Sequence, residues 1–119
     1  MTGARILLLL GALLLLATAA FHASGGAMVA GWLDGERGQI LRLLWFVPPI
    51  DWVVVALIWA FAAWRPSRVL AAIVWLSALI PLAVAGMLLV TIGPGFPGGW
   101  MLLGATILAG FGAARLRVV

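Results

Sequence analysis

Residues 69–91, VLAAIVWLSALIPLAVAGMLLVT, decide the fold, because this stretch carries no charged side chain over the whole length of a bilayer crossing. A helix needs roughly 20 apolar residues to cross a hydrocarbon core of ~30 Å. Outward from this stretch, three more apolar stretches of similar length lie between short polar or Gly/Pro-rich breaks. The sequence therefore predicts an all-α membrane protein, a small bundle of four transmembrane helices. The predicted spans are about residues 5–27, 40–64, 69–91 and 97–114.

The composition leaves no room for a second, soluble domain. Hydrophobic residues make up 66% of the chain and charged residues only 8%, and every connection between apolar stretches is too short to build a domain. We therefore expect residues 1–119 to form a single transmembrane domain. We also expect the N-terminal apolar stretch to remain as a span, because it is longer than the apolar region of a signal peptide.

The side chains present exclude several classes of enzyme. With no Cys and one His, the chain offers no thiolate catalysis, no Cys-ligated zinc and no iron–sulfur centre. The segment 93–99, GPGFPGG, predicts a turn rather than a phosphate-binding loop, and no paired carboxylates or nucleophile–base pair are present. One imidazole with few acids is also a poor ligand set for a metal or a haem. We expect no enzymatic activity, no metal and no cofactor.

The Arg residues predict the orientation in the membrane. In a four-span arrangement, only Arg37 and Arg42 fall on one side, and the other five Arg fall on the opposite side: Arg5, Arg65, Arg68, Arg115 and Arg117. Because cytoplasmic loops carry the excess of positive charge, both termini are predicted to be cytoplasmic, in a bacterial inner membrane. The net charge of +4 is thus interpreted as a topology signal, and no nucleic-acid partner is expected.

The second span contains two prolines. Pro48 and Pro49 lack backbone N–H donors, which frees the carbonyls of Leu44 and Trp45 four residues earlier. We predict one crossing that is kinked at Pro48-Pro49. The alternative is an interfacial helix over residues 36–46, followed by a short span with Asp51 as its N-cap.

Two ionisable residues lie within predicted spans at a similar depth. Counted at 1.5 Å per residue, His22 and Asp51 are about 25 and 21 Å from the cytoplasmic face. Since polar side chains inside membranes usually pair, we predict that the two contact each other, with Arg42 as a third candidate in a polar or proton-handling site. One interpretation is a proton relay or binding site that opens to the outer face. The other is a clamp between helices without activity.

Small and aromatic residues predict how the helices pack. Trp45, Trp52 and Trp59 recur every seven residues, which places them on one stripe that faces lipid or a neighbouring helix. Small residues at intervals of about four allow helices to approach closely, and they either hold the four helices together or dock a partner. These are Ala19, Ala23, Ala27, Ala56, Ala60, Ala105, Ala109 and Ala113.

The leading functional hypothesis is a small integral membrane protein without catalytic activity. In this hypothesis it is an accessory, assembly or stabilising subunit of a larger membrane complex, or a homo-oligomer, surrounded by the lipid bilayer. The alternative is a small transporter or channel-like protein that uses His22 and Asp51. A third hypothesis is a pigment- or haem-bearing membrane subunit.

Overall fold

A computed structural model describes residues 2–116, and the regular secondary structure in that range consists of helices. The helices are α1 (Gly3–Ser24), α2 (Gly26–Ala30), α3 (Gly35–Trp64), α4 (Arg68–Thr91) and α5 (Pro97–Ala114). The first two form one candidate membrane span, and α3, α4 and α5 form one each. The predicted four-span bundle is therefore confirmed.

The breaks between spans carry residues suited to end or begin a helix. The Ser67 side chain caps α4 by accepting a hydrogen bond of 3.1 Å from the backbone N–H of Leu70. Gly93 turns the chain after α4 with a φ of +106°, a conformation that side chains with a Cβ rarely adopt. Pro97 begins α5, where its missing N–H leaves no helical bond unmade. The chain thus reverses direction within a few residues at each connection.

The closest packing joins α1 to α5. A Cβ added at Gly11 would lie 3.0 Å from the carbonyl oxygen of Ala105 and 3.1 Å from the backbone nitrogen of Ala109. A Cβ added at Gly112 would likewise lie 3.0 Å from the carbonyl oxygen of Ala4. Because α1 also packs against α3, and α4 against α5, the first span is the central helix of the bundle.

Most of the predicted small-residue faces are used inside this bundle. Ala23 and Ala60 are half-buried, and Ala27 is exposed. The other five are at most 5% exposed, and they are Ala19, Ala56, Ala105, Ala109 and Ala113. These five residues hold the helices of one chain together, which leaves them unavailable for docking a partner.

The proline pair does not interrupt the second span. Helix α3 continues from Gly35 to Trp64 through Pro48 and Pro49, so the alternative of an interfacial helix followed by a separate short span is wrong. The predicted single crossing through Pro48-Pro49 is therefore confirmed, and the first span is bent by 32°. The helix of that span is interrupted at Gly25, between α1 and α2.

The four spans differ in length. At 1.5 Å per residue, the 30 residues of α3 extend about 45 Å and the 18 residues of α5 about 27 Å. Arg5, Pro66 and Arg115 line one cavity, so the start of α1, the end of α3 and the end of α5 lie at the same end of the bundle. At the other end lie α2, the first part of α3 and the start of α5. Arg117, used above to predict orientation, lies outside the described residues.

Candidate functional site

The polar centre of the membrane domain is a contact between His22 on α1 and Trp45 on α3. The Nε2–H of His22 donates to the carbonyl oxygen of Trp45 at 3.0 Å. The Nε1–H of Trp45 donates in return to the carbonyl oxygen of His22 at 2.9 Å. The two rings are stacked, with centroids 4.2 Å apart and planes inclined by 17°. This exchange joins the two helices near the ends opposite to Arg5 and Trp64.

Pro49 explains why the carbonyl of Trp45 accepts this bond. In a regular helix that carbonyl would accept from the N–H four residues later, but proline has none. His22 supplies the missing donor. Because a carbonyl oxygen only accepts, Nε2 carries the proton, and in the neutral ring Nδ1 is left as an acceptor. Gly25 makes room for the indole, since a Cβ there would lie 3.0 Å from the Trp45 ring.

The tryptophan stripe of α3 faces neighbouring helices. Trp52 and Trp59 are 2% and 0% exposed, and the Nε1–H of Trp59 donates to Ser77 Oγ on α4 at 3.0 Å. The Nε1–H of Trp45 is satisfied by His22. Trp52 differs, because its Nε1 is the one buried side-chain polar atom of residues 2–116 with no hydrogen-bond partner.

A cavity of about 270 Å³ lies beside these aromatic residues. All four spans contribute to its walls, which are mainly aromatic and aliphatic. His22, Trp45 and Trp52 line one part of it, and Leu88 of α4 and Leu102 of α5 line another. The arrangement is a small apolar pocket with a few polar groups, the form that ligand sites in proteins commonly take.

The structure does not bring together the three residues predicted to share a polar site. His22 is half-buried against Trp45, whereas Asp51 and Arg42 are exposed on α3. Within residues 2–116, no hydrogen bond or ion pair joins any two of these three side chains. The partner of His22 is a backbone carbonyl and an indole, which a search for polar side chains misses. The sequence signal for that partner was Pro49, which frees the carbonyl of Trp45.

In the part of the chain described here, no group of three or more His, Cys, Asp or Glu residues is close enough to hold a metal ion.

The fold and its four apolar spans define a small integral membrane protein. Comparison with protein-family models, curated proteins and solved structures finds no match to this chain.

Proposed function

We propose that this protein is a non-enzymatic accessory or assembly subunit of a larger membrane complex, and that it associates through the face of α3 that carries Asp51. The proposal rests on the position of that one carboxylate. It also agrees with the burial of most small-residue faces inside the bundle, because association then needs another surface.

Asp51 lies inside the membrane on the outside of the bundle. It is 13 residues from Trp64 at the end of α3, or about 20 Å along the helix, which places it within a ~30 Å hydrocarbon core. Its side chain is exposed, and no residue of the described chain pairs with it. A charged Asp at this depth costs roughly 2.5–3.5 kcal/mol on insertion scales, and such residues normally face protein or water. A partner that covers Asp51 removes this cost.

The residues around Asp51 form a face suited to another helix. Leu44, Val47 and Val54 are exposed and lie three or four residues apart from one another or from Asp51, so they share one side of α3. Two copies that met symmetrically on this face would place two carboxylates together, and like charges repel. The face therefore favours a different protein, one whose membrane helix offers a cationic or hydrogen-bonding group at the depth of Asp51.

The experiment compares Asp51→Leu with the unchanged protein, each purified from its native membrane in mild detergent. We expect the unchanged protein to run as a complex and Asp51→Leu to run as a single chain. We also expect the thermal unfolding midpoint of the Asp51→Leu chain to equal or exceed that of the dissociated unchanged chain, because the carboxylate has no partner within the bundle. The matched control is Asp34→Leu, which removes the same charge from the loop before α3 and should leave the complex intact.

Two outcomes contradict this proposal. One is an unchanged protein that runs as a single chain in every mild detergent tested. The other is a complex that survives Asp51→Leu. If the surviving particle contained only copies of this chain, it would point to a homo-oligomer built through another face.

A further inference from the structure

The end of the bundle at which α1 begins and α5 ends, called here the arginine end, has no acidic side chain to balance its charge. Arg5, Arg65, Arg68 and Arg115 lie toward this end, each at the beginning or the end of a span. The chain has three acidic residues. Two of them lie at the beginning of α3, at the other end of the bundle, and Asp51 lies about 21 Å along α3 from Arg65. Within residues 2–116, these arginines therefore have no carboxylate as a counter-ion.

Two of these arginines line one open cavity. The cavity is about 990 Å³, and its walls are the first turn of α1, Pro66 between α3 and α4, and the residues that follow α5. Arg5 and Arg115 both contribute to the lining, although they lie near opposite ends of the sequence. The close contact of α1 with α5 brings them together, since a Cβ added at Gly112 would lie 3.0 Å from the carbonyl oxygen of Ala4. The packing of the bundle therefore places two cationic side chains around the same space.

The donors around this cavity are not used by the described chain. Within residues 2–116, no hydrogen bond or ion pair involves the guanidinium group of Arg5 or Arg115, so both can turn toward a ligand. The first turn of α1 lines the same cavity, and the side chain of its N-cap, Thr2, accepts no hydrogen bond from that turn. A helix begins with backbone N–H groups that lack a helical acceptor and with the positive end of the helix dipole. The arginines and the helix end at this cavity therefore both favour an anion.

The cavity also has an apolar part next to the surrounding lipid. Ile6 and Leu7 line it, and Ile6 is 42% exposed. The Cζ atom of Arg115 lies 5.7 Å from the ring centroid of Phe111, which is 56% exposed. Because three spans begin or end at this cavity, it lies at the level of the lipid headgroups rather than in the hydrocarbon core. An occupant that carries both an anionic group and hydrocarbon therefore fits the cavity better than a free anion.

We propose that this cavity binds the phosphate group of an anionic phospholipid, and that Arg5 and Arg115 hold that phosphate. A guanidinium group donates two parallel hydrogen bonds to a phosphate, a geometry that an ammonium group lacks. Basic pockets between membrane helices are known to bind phospholipid headgroups. A zwitterionic headgroup fits less well, because its own cation would lie beside two arginines and no acidic side chain. The site does not include Asp51, so it does not depend on the proposed association.

The test compares phosphatidylglycerol with phosphatidylcholine that carries the same acyl chains. Each lipid is titrated into the purified protein in mild detergent, and native mass spectrometry gives the number of bound lipids and their apparent Kd. We expect one phosphatidylglycerol per chain, bound about tenfold more tightly than phosphatidylcholine, because each arginine near an anionic lipid contributes roughly fivefold in affinity. Glycerophosphoglycerol, the same headgroup without acyl chains, should bind about tenfold more weakly than phosphatidylglycerol, because it buries no hydrocarbon.

Three arginine variants assign the effect. Arg5→Gln and Arg115→Gln should each weaken the binding of phosphatidylglycerol by about fivefold and change that of phosphatidylcholine by less than about twofold, since each removes one cation from the cavity. Arg68→Gln is the matched control. It removes the same charge from the same end of the bundle, but Arg68 does not line the cavity, so the affinity for phosphatidylglycerol should change by less than about twofold. The thermal unfolding midpoints of all three variants, measured without added lipid, should match that of the unchanged protein.

Three results overturn the proposal. Equal affinity of the unchanged protein for phosphatidylglycerol and phosphatidylcholine would show that the cavity does not select an anionic lipid. Equal weakening by Arg68→Gln and by the two cavity variants would show that the charge of the whole arginine end attracts the lipid. Equal affinity for glycerophosphoglycerol and phosphatidylglycerol would assign the cavity to a soluble phosphate compound. The first and third comparisons use only the unchanged protein, so they decide the proposal even where a variant fails to fold.

Discussion

His22 and Trp45 exchange two hydrogen bonds in opposite directions, at 3.0 and 2.9 Å, across the interface between α1 and α3. One of these bonds replaces a bond that the helix itself cannot make, because Pro49 has no N–H to offer the carbonyl of Trp45. The side chain of one helix thus completes the backbone hydrogen bonding of another. The proline in α3 and the histidine in α1 therefore act as a pair, although they do not resemble a pair in the sequence.

The first prediction follows from this relationship. His22→Leu should lower the free energy of unfolding by about 1–3 kcal/mol, because the carbonyl of Trp45 is left buried without a donor. In a Pro49→Ala background the restored N–H supplies the donor, and the cost of His22→Leu should fall by about 1 kcal/mol. The measurement is a double-mutant cycle of unfolding in detergent.

Pro48→Ala is the control for that cycle. It restores a donor to the carbonyl of Leu44, which His22 does not contact, so it should not reduce the cost of His22→Leu. Equal rescue by Pro48→Ala and Pro49→Ala would show that proline affects α3 in general and that the His22 bond has no special role.

The second prediction concerns His22 and Asp51. Since His22 is half-buried against Trp45, Asp51 is exposed, and no hydrogen bond joins the two side chains, His22→Leu and Asp51→Leu should change the unfolding free energy additively, within about 0.5 kcal/mol. The four proteins of the cycle are compared by thermal unfolding in the same detergent. A coupling energy of 1 kcal/mol or more would instead support the polar or proton-handling site predicted from their similar depth.

The third prediction concerns the contact between α1 and α5. Ala109 is 0% exposed, and its backbone nitrogen would lie 3.1 Å from a Cβ added at Gly11. Ala109→Phe should destabilise the bundle by about 1–3 kcal/mol, because the extra ring forces these backbones apart. Leu108→Phe is the matched control, since Leu108 is half-buried on another side of α5. Similar unfolding midpoints for the two variants would contradict the close packing seen here.

The fourth prediction concerns orientation in the membrane. Arg5, Arg65, Arg68 and Arg115 lie toward one end of the bundle, and this end should face the cytoplasm. Reporter fusions placed after Arg68 and after Val119 should therefore read cytoplasmic, and a fusion at Pro94 should read external. An external reading after Val119 would reverse the assignment or remove a span.

The number of spans was predictable because a bilayer crossing needs roughly 17–25 apolar residues, and all four stretches fall in that range. The start of the second span was less predictable. Helix α3 begins at Gly35, five residues before the predicted boundary at Ile40, and its polar first turn includes Glu36. Hydropathy marks where a helix is apolar, and it gives no signal where the same helix continues beyond the apolar region.

The candidate site was predictable only in part. The depth of His22 and Asp51 follows from residue counting, but the side of the helix that each one faces depends on how four helices pack. Asp51 is exposed, and one residue further along α3 Trp52 is buried. The acceptor for His22 is a backbone carbonyl rather than a polar side chain, and its signal in the sequence is Pro49, which frees the carbonyl of Trp45. The similar depth of His22 and Asp51 therefore suggested that they pair. It was not enough to show which groups each side chain contacts, because that depends on the side of the helix that each one faces.

The difference in length between α3 and α5 has a consequence for the surrounding lipid. Helix α5, at about 27 Å, is shorter than an average hydrocarbon core of ~30 Å, whereas α3 exceeds that thickness. Lipids beside α5 must be compressed, and those beside α3 need not be. We expect an annulus of uneven thickness around the molecule.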